Sequence, residues 1–478
     1  MARRPHATVL VLALSALLAP AAQADDLLQS YHKARNSDPQ FAAAESAHLA
    51  TRENPVQARA AMLPQVNGQA TLRRTHSEGP ATQTQYDPNS GEFIEINGDI
   101  SSKSTSSNAG VDGSQMLFDR ARQTQLRSAR ANTRASEFQL LATGNSLITR
   151  TSAAYFNVLV QLETLAAAEA AEAALRQQFD FADKRLEVGL APITDVHEAR
   201  AQYDAARANT ILARNAVEDA YQALLEITGS STATLQGLPD DFKPEMPATG
   251  GVDAWVQSAI AQNPALMAYQ ARVEASEADV ATARAGYLPT IYLSGGYSTG
   301  RTWGERTFDG AGGFTATNPI DSESRGPSIG LTLNVPIFNG FATASRVRQA
   351  LHTRDVRQDE LEQQRRALER STRGAYQTLV AGISEVEARR LALVSAQSAY
   401  DASQVGLEVG TRTVLDVLNN QRTLFSAQQA YALAKYNFLQ NRLLLEQAAG
   451  SLDVDDVQSV NRLLTVSRPI VRAPGATN

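Results

Sequence analysis

The chain has 478 residues, 44 basic and 50 acidic side chains, and no cysteine. Without cysteine there is no disulfide framework, thiol nucleophile, thiolate metal site or lipid on an N-terminal cysteine. A formal net charge of −6 makes nucleic acid a poor partner, and none is expected.

Residues 1–24 have the form of a secretory signal peptide. Arg3 and Arg4 precede the short apolar run Val9–Leu18, and Ala22-Gln23-Ala24 is a small-x-small cleavage site before Asp25. The run falls well short of the roughly 20 residues of a membrane-spanning helix, and no longer apolar stretch follows.

Residues 25–229 read as helix, strand, polar loop, strand, long helix, turn, helix. The strands are expected at about 65–75 and 107–118, with an exposed hairpin loop at about 75–106 rich in Gly, Ser, Thr and Asn. No proline lies between Pro88 and Pro192. Proline is excluded from helix interiors, so a coiled-coil hairpin is expected over about 119–228. Its first helix, about 119–187, would be roughly 100 Å long at 1.5 Å per residue, with Gly144 as a kink or joint. In its second helix Val196, Ala199, Tyr203, Ala206, Thr210, Ala213, Val217, Ala220, Leu224 and Ile227 alternate steps of three and four, a heptad seam. Gly229 is placed to end it.

Residues 230–251, with Pro239, Pro244, Pro247 and paired glycines, read as a linker. Residues 252–450 then repeat the first half. Strands are expected at about 289–300 and 327–338, around a polar loop at about 300–326. A second hairpin is expected at about 339–449, and residues 451–478 form a tail. Ile329, Leu331, Leu333, Val335 and Ile337 alternate along a two-faced strand. The second seam runs Val417, Asn420, Leu424, Ala427, Tyr431, Ala434, Phe438, Asn441, Leu445 and Ala448, the first seam displaced by 221 residues. The same displacement relates EVGLAPITDV (187–196) to EVGTRTVLDV (408–417). The chain is therefore two tandem halves, mainly α with a small β part.

Four strands of about ten residues have the length to cross an outer membrane but cannot close a barrel, and open edges are not tolerated in lipid. Three chains would supply twelve strands, and twelve helices able to close into a tube.

The paired turns, the breaks Leu63-Pro64 and Leu288-Pro289 and the strand exits Leu117-Phe118-Asp119 and Ile337-Phe338-Asn339 are duplicated in one order, and Ile227-Thr228-Gly229 closes the first half. In this the chain resembles the TolC-like trimeric outer-membrane efflux proteins over nearly its whole mature length. The resemblance implies a homotrimer with a 12-stranded outer-membrane β-barrel continuing into a 12-helix periplasmic α-barrel. It implies export of drugs, small toxic molecules or proteins, the last by type I secretion. The implied partners are outer-membrane lipid, a periplasmic adaptor (membrane fusion protein) and an inner-membrane pump or ABC transporter.

The resemblance also assigns residues. Asp416 matches an aspartate lining the narrowest ring of the periplasmic gate. Read from the sequence alone, it equally complements the positive N-terminus of the helix it opens. Asn419 stands where some members carry a second aspartate, so cation blockade is expected to be weaker. Thr194 and Asp195 match gate-closing residues and Arg412 their partner across the contact. Thr194 or Asp195 is also a candidate helix N-cap. Lys184 and Leu407 depart from the usual uncharged polar and aromatic residues of that lock. Gly189 and Gly410 permit the tight turns and, by resemblance, mark the adaptor-docking tip. Tyr287, Tyr292, Tyr297 and Trp303 suit either an interfacial belt or ordinary packing.

No catalytic motif is present, and the six histidines have no metal-ligand spacing, so neither enzyme activity nor a cofactor is expected. A periplasmic coiled-coil adaptor or an adhesin stalk is the alternative reading. The first needs one hairpin between β-rich domains, and the second would lack the duplicated turns.

Overall fold

A computed structural model describes residues 25–88, 91–247 and 250–470. The expected signal peptide and residues 471–478 of the tail lie outside the described residues. Contacts divide the chain into two units. One takes the chain up to Ala50, Arg134–Gln270 and everything from Asp359; the other takes Thr51–Thr133 and Ala271–Gln358.

The elements are α1 (Leu27–Ser37), α2 (Pro39–Arg52), α3 (Asn54–Ala60), β1 (Gln65–Asp87), β2 (Glu92–Phe118), α4 (Arg120–Glu187), α5 (Ile193–Thr228) and β3 (Thr234–Gly237). They continue with α6 (Val252–Gln262), α7 (Pro264–Ala285), β4 (Thr290–Gly310), β5 (Phe314–Asn334), α8 (Ala342–Glu408), α9 (Val414–Ala449), α10 (Val454–Asn461) and β6 (Val466–Pro469).

In the unit that holds the large sheet, four antiparallel strands run in the order β1-β2-β4-β5. The strands correct the expected lengths: they have 23, 27, 21 and 21 residues, and most of the stretches 75–106 and 300–326 is strand rather than loop. Gly79 pairs with Ile100 and Thr307 with Thr317, deep inside the expected loops. Ser- and Thr-rich segments carry no apolar alternation, yet their backbones ladder as well as any others. The second hairpin turns at Gly312 and Gly313, with φ of 82° and 80°. β5 stops at Asn334, two residues before Pro336, which has no N–H to donate to a ladder.

Asp119 explains the strand exit. Its Oδ1 accepts from the Ala121 N–H at 2.9 Å, capping α4, and its Oδ2 accepts from the Tyr292 hydroxyl at 2.9 Å. One carboxylate thus fastens the start of α4 to β4. Tyr292 is occupied by this bond, whereas Tyr287, Tyr297 and Trp303 are exposed.

The helical unit holds the main core. Asp38 and Asn263 precede prolines and adopt extended backbone, which breaks α1 from α2 and α6 from α7. Both breaks are then held by side chains. Asp38 pairs with Arg150 at 2.8 Å, and Asn263 Nδ2 donates to the Ala448 carbonyl at 3.1 Å. On α5 Val196, Ala199, Ala206, Thr210, Ala213, Val217, Ala220 and Leu224 are all buried. On α9 burial spreads beyond the seam to Gln421, Lys435, Tyr436, Leu439 and Glu446, because this helix is covered on more than one side. Gly144 lies inside a continuous α4 and makes no joint. The linker contributes β3 and the tail contributes α10 and β6, with β3 and β6 paired antiparallel.

Gly229 and Gly450 end α5 and α9 in the left-handed conformation, with φ of 64° and 76°. At Gly450 a Cβ would also stand 2.6 Å from the backbone of Gln262 and Asn263. Gly450→Ala is therefore expected to cost about 2–4 kcal/mol. Gly410→Ala, where φ is 77° but the space is open, is expected to cost about 1 kcal/mol. Thermal midpoints of the two variants check the ranking.

Candidate functional site: the two helix-terminating turns

The repeated phrase forms the two turns α4–α5 and α8–α9. In the first, Leu190 N–H reaches the Arg185 carbonyl at 2.8 Å and Gly189 N–H the Leu186 carbonyl at 2.9 Å. In the second, Thr411 N–H reaches Gly406 at 2.8 Å and Gly410 N–H reaches Leu407 at 3.2 Å. This pair of bonds consumes the last carbonyls of each helix and requires a left-handed residue at its centre, which Gly189 and Gly410 supply at φ 73° and 77°. Val188, Leu190, Ile193 and Val409 are left exposed around the turns.

The two copies differ at the start of the following helix. In the second, Thr413 is the N-cap and Asp416 stands three residues on. Asp416 Oδ2 accepts from the Thr413 N–H and from its hydroxyl, both at 2.9 Å, and Asp416 N–H donates back to Thr413 Oγ1 at 3.2 Å. This is a closed capping box. The Thr413 N–H, then its hydroxyl, and at longer range Arg412 hold the Asp416 carboxyl below its usual range, so it stays ionised. The Thr-x-x-Asp spacing was readable in the sequence; Thr413, the N-cap that holds Asp416, is the residue of this turn that sequence reasoning missed.

In the first copy the N-cap is Pro192, which offers neither a side-chain acceptor nor an N–H. Thr194 and Asp195 lie inside α5, at its second and third positions, so neither is the N-cap. Among the described residues the Asp195 carboxylate has no hydrogen bond or ion pair, and Thr194 is exposed. Arg412 lies against the bare backbone of Gly406, where a Cβ would stand 2.6 Å from its Cγ. Its guanidinium forms no ion pair among the described residues, and no Asp195–Arg412 contact exists within the chain. Lys184 is exposed on the last turn of α4 and Asn419 is exposed on α9.

A second polar cluster carried no sequence signal. Lys435 Nζ, on a side chain 2% exposed, lies 3.2 Å from Glu163 Oε2 and 4.9 Å over the Tyr431 ring. Tyr436 hydroxyl donates to Glu163 Oε1 at 2.9 Å, and burial together with that carboxylate pushes its pKa up.

A sequence profile described as outer membrane efflux protein matches residues 30–230 and 255–451. The chain is 33% identical over 455 residues to the outer membrane protein TolC of Escherichia coli, covering 95% of this chain and 87% of that one. It is 31% identical over 451 residues to TolC of Vibrio cholerae, covering 94% and 96%. In fold it resembles the Campylobacter jejuni CmeC outer membrane channel, with a TM-score of 0.70 at 17% identity over 92% and 90% of the two chains. With two matched segments spanning most of its length and its paired helix-terminating turns, the chain belongs to the outer membrane efflux protein family and is an outer-membrane exit duct.

Proposed function

We propose that three copies assemble into a duct, each giving four strands to a 12-stranded barrel and four long helices to a 12-helix periplasmic tunnel. The observation that carries this is the sheet. Its four strands exceed the length needed to cross a membrane, and its outer members β1 and β5 have no strand partner on their free edges among the described residues. In lipid such edges must be paired, and two further copies supply the partners. An adaptor or a stalk leaves this sheet unexplained.

The duct serves efflux of drugs and small toxic molecules or type I protein secretion. An inner-membrane pump or ABC transporter supplies the energy, and a periplasmic adaptor docks at the turns marked by Gly189 and Gly410. Asp195 of one chain and Arg412 of a neighbour are the latch, with Thr194 and Lys184 beside it, since both charged groups are uncommitted within the protomer. Asp416, kept ionised by its capping box, places one negative charge per chain at the ring, and Asn419 adds none.

Purified protein in planar bilayers tests this reading. Cation-selective channels are expected, with conductance several-fold higher in Asp195→Ala or Arg412→Ala and weaker cation selectivity in Asp416→Asn. A protein that stays monomeric and needs no detergent would overturn the duct. Unchanged conductance in both latch variants would overturn the latch alone.

A further inference from the structure

The apolar residues of the large sheet occupy one face and one end. Residues paired across a ladder project on the same side of a sheet, as do alternate residues along a strand. Val66 pairs with Gly113, Gly113 with Gly295 and Gly295 with Ile329. The register therefore places Val66, Leu72, Val111, Tyr297, Ile329 and Leu331 on one face, and all six are exposed. Beyond Leu72 the same face turns polar, with Arg74, His76, Lys103 and Glu305. The apolar band thus covers about ten residues of each strand, the length needed to cross a bilayer. It lies at the end where α3, α4, α7 and α8 join the sheet.

Two further levels follow the band. Tyr287, Phe338 and Phe341 stand exposed at the junction of sheet and helices, as aromatic side chains do at a membrane surface. Arginines come next. The parts of this unit beside that end of the sheet, 51–64, 119–133, 271–289 and 335–358, carry twelve arginines, no lysine and six carboxylates. The whole chain is at −6, so the positive surplus belongs to this level and the rest of the chain is acidic. Arg59 and Arg284 sit in the last turns of α3 and α7, and Arg346 and Arg348 near the start of α8. All four are exposed, and among the described residues none has an ion pair or a side-chain hydrogen bond. Arg120 and Arg122 open α4, where positive charge opposes the helix dipole, so helix stability does not account for them.

We propose that this level binds the phosphates of anionic phospholipids in the inner leaflet of the outer membrane, with Arg59, Arg284, Arg346 and Arg348 as the contacts. The inference rests on the barrel reading, since it needs the apolar band in the hydrocarbon. Apolar band, aromatic side chains and free arginines then meet hydrocarbon, interface and headgroups in that order. At 1.5 Å per residue, Arg346 and Arg348 lie about 6–9 Å into α8, and the headgroup layer is roughly 5–8 Å deep. Arginine suits the task better than lysine, because its planar fork takes two phosphate oxygens at once. A tunnel lining for acidic cargo gives no reason for the arginines to follow the apolar band.

The test uses the full chain reconstituted in phosphatidylcholine membranes with a trace of spin-labelled phosphatidylglycerol or spin-labelled phosphatidylcholine. Electron paramagnetic resonance reads the share of each label held at the protein. The wild type is expected to prefer phosphatidylglycerol about fivefold, and less at high salt. Combining Arg59→Gln, Arg284→Gln, Arg346→Gln and Arg348→Gln should bring the two lipids level. The same four positions changed to Lys keep the charge and should keep most of the preference. Channels recorded in phosphatidylcholine bilayers establish that each variant assembles. No preference in a conducting wild type, or an unchanged preference in a conducting Gln variant, would overturn this proposal alone. Unchanged preference with altered ion selectivity would put the arginines in the tunnel, which also overturns it. Inorganic phosphate that abolishes the preference at matched ionic strength would reduce the level to a free-anion site, again overturning it. A wild type that forms no channels would overturn the barrel reading and this inference with it.

Discussion

Glu163→Ala is expected to destabilise the helical unit by about 3–5 kcal/mol, the usual cost of removing one partner of a buried ion pair. The variant strands the Lys435 ammonium in a site where 2% of the side chain meets solvent. It also removes the acceptor of the Tyr436 hydroxyl, whose oxygen in turn accepts from the Leu238 N–H at 3.3 Å. The cluster ties α4 to α9 and to the segment after β3. Replacing both charges, as Glu163→Leu with Lys435→Met, is expected to recover most of the loss, because the Lys435 charge is then no longer stranded, while Arg468, 3.9 Å from Glu163 in the wild type, keeps Asp240 at 3.7 Å. Tyr436→Phe should cost about 1.5–3 kcal/mol, the range for a hydrogen bond to a charged group. Thermal midpoints of the three variants check this. A double variant no more stable than Glu163→Ala would mean that shape, not charge, sets the loss.

Stability is expected to fall as pH rises from about 4.5 to 7, and Glu446 is the cause. Its side chain is 7% exposed, Oε1 accepts from Arg442 Nε at 3.3 Å, and Oε2 is buried without a partner. Burial first, then the Asp456 charge on α10, push its pKa up to about 7, against the opposing pull of Arg442. Arg442 is shared with Ser459 at 3.0 Å. Asp456 is itself raised by burial, so it acts in the same direction. The folded state therefore holds a proton that the unfolded chain has released, and raising the pH through this window favours unfolding. The difference between the two carboxyl states corresponds to about 3 kcal/mol. Glu446→Gln should be more stable than the wild type above pH 7 and should show a flatter profile. Midpoints at pH 5 and pH 8 for both proteins decide it; parallel profiles would remove Glu446 as the source.

Local chemistry made much of the helical architecture legible. The proline-free run from Pro88 to Pro192 falls on α4 and the one from Pro336 to Pro469 on α8–α9, and the seam from Val196 to Leu224 lies buried because its spacing alone selects one helix face. The glycines of the turns are equally local, since a left-handed residue is needed wherever such a helix end folds back. The strands were half legible. Ile329–Leu333 shows alternation, but Thr75–Ser104 does not, because its pairing is made by backbone groups that any sequence carries.

Among the candidate site residues, the difference in partners between the two aspartates rests on one neighbour each. Thr413 commits Asp416 to its own helix, while Pro192 leaves Asp195 without a cap partner. That contrast was written in the chain, three residues upstream in both cases.

By itself the sequence determined the long helices, their seams and the turns, which depend on residues within a few positions of one another, and the duplication, which shows as one pattern repeated 221 residues on. Only the tertiary structure decided that Glu163 meets Lys435 and that Asp119 meets Tyr292. These partners are far apart along the chain, and burial brought them together. No spacing rule encodes such a meeting, because which side chain faces which is set by how the helices and strands pack.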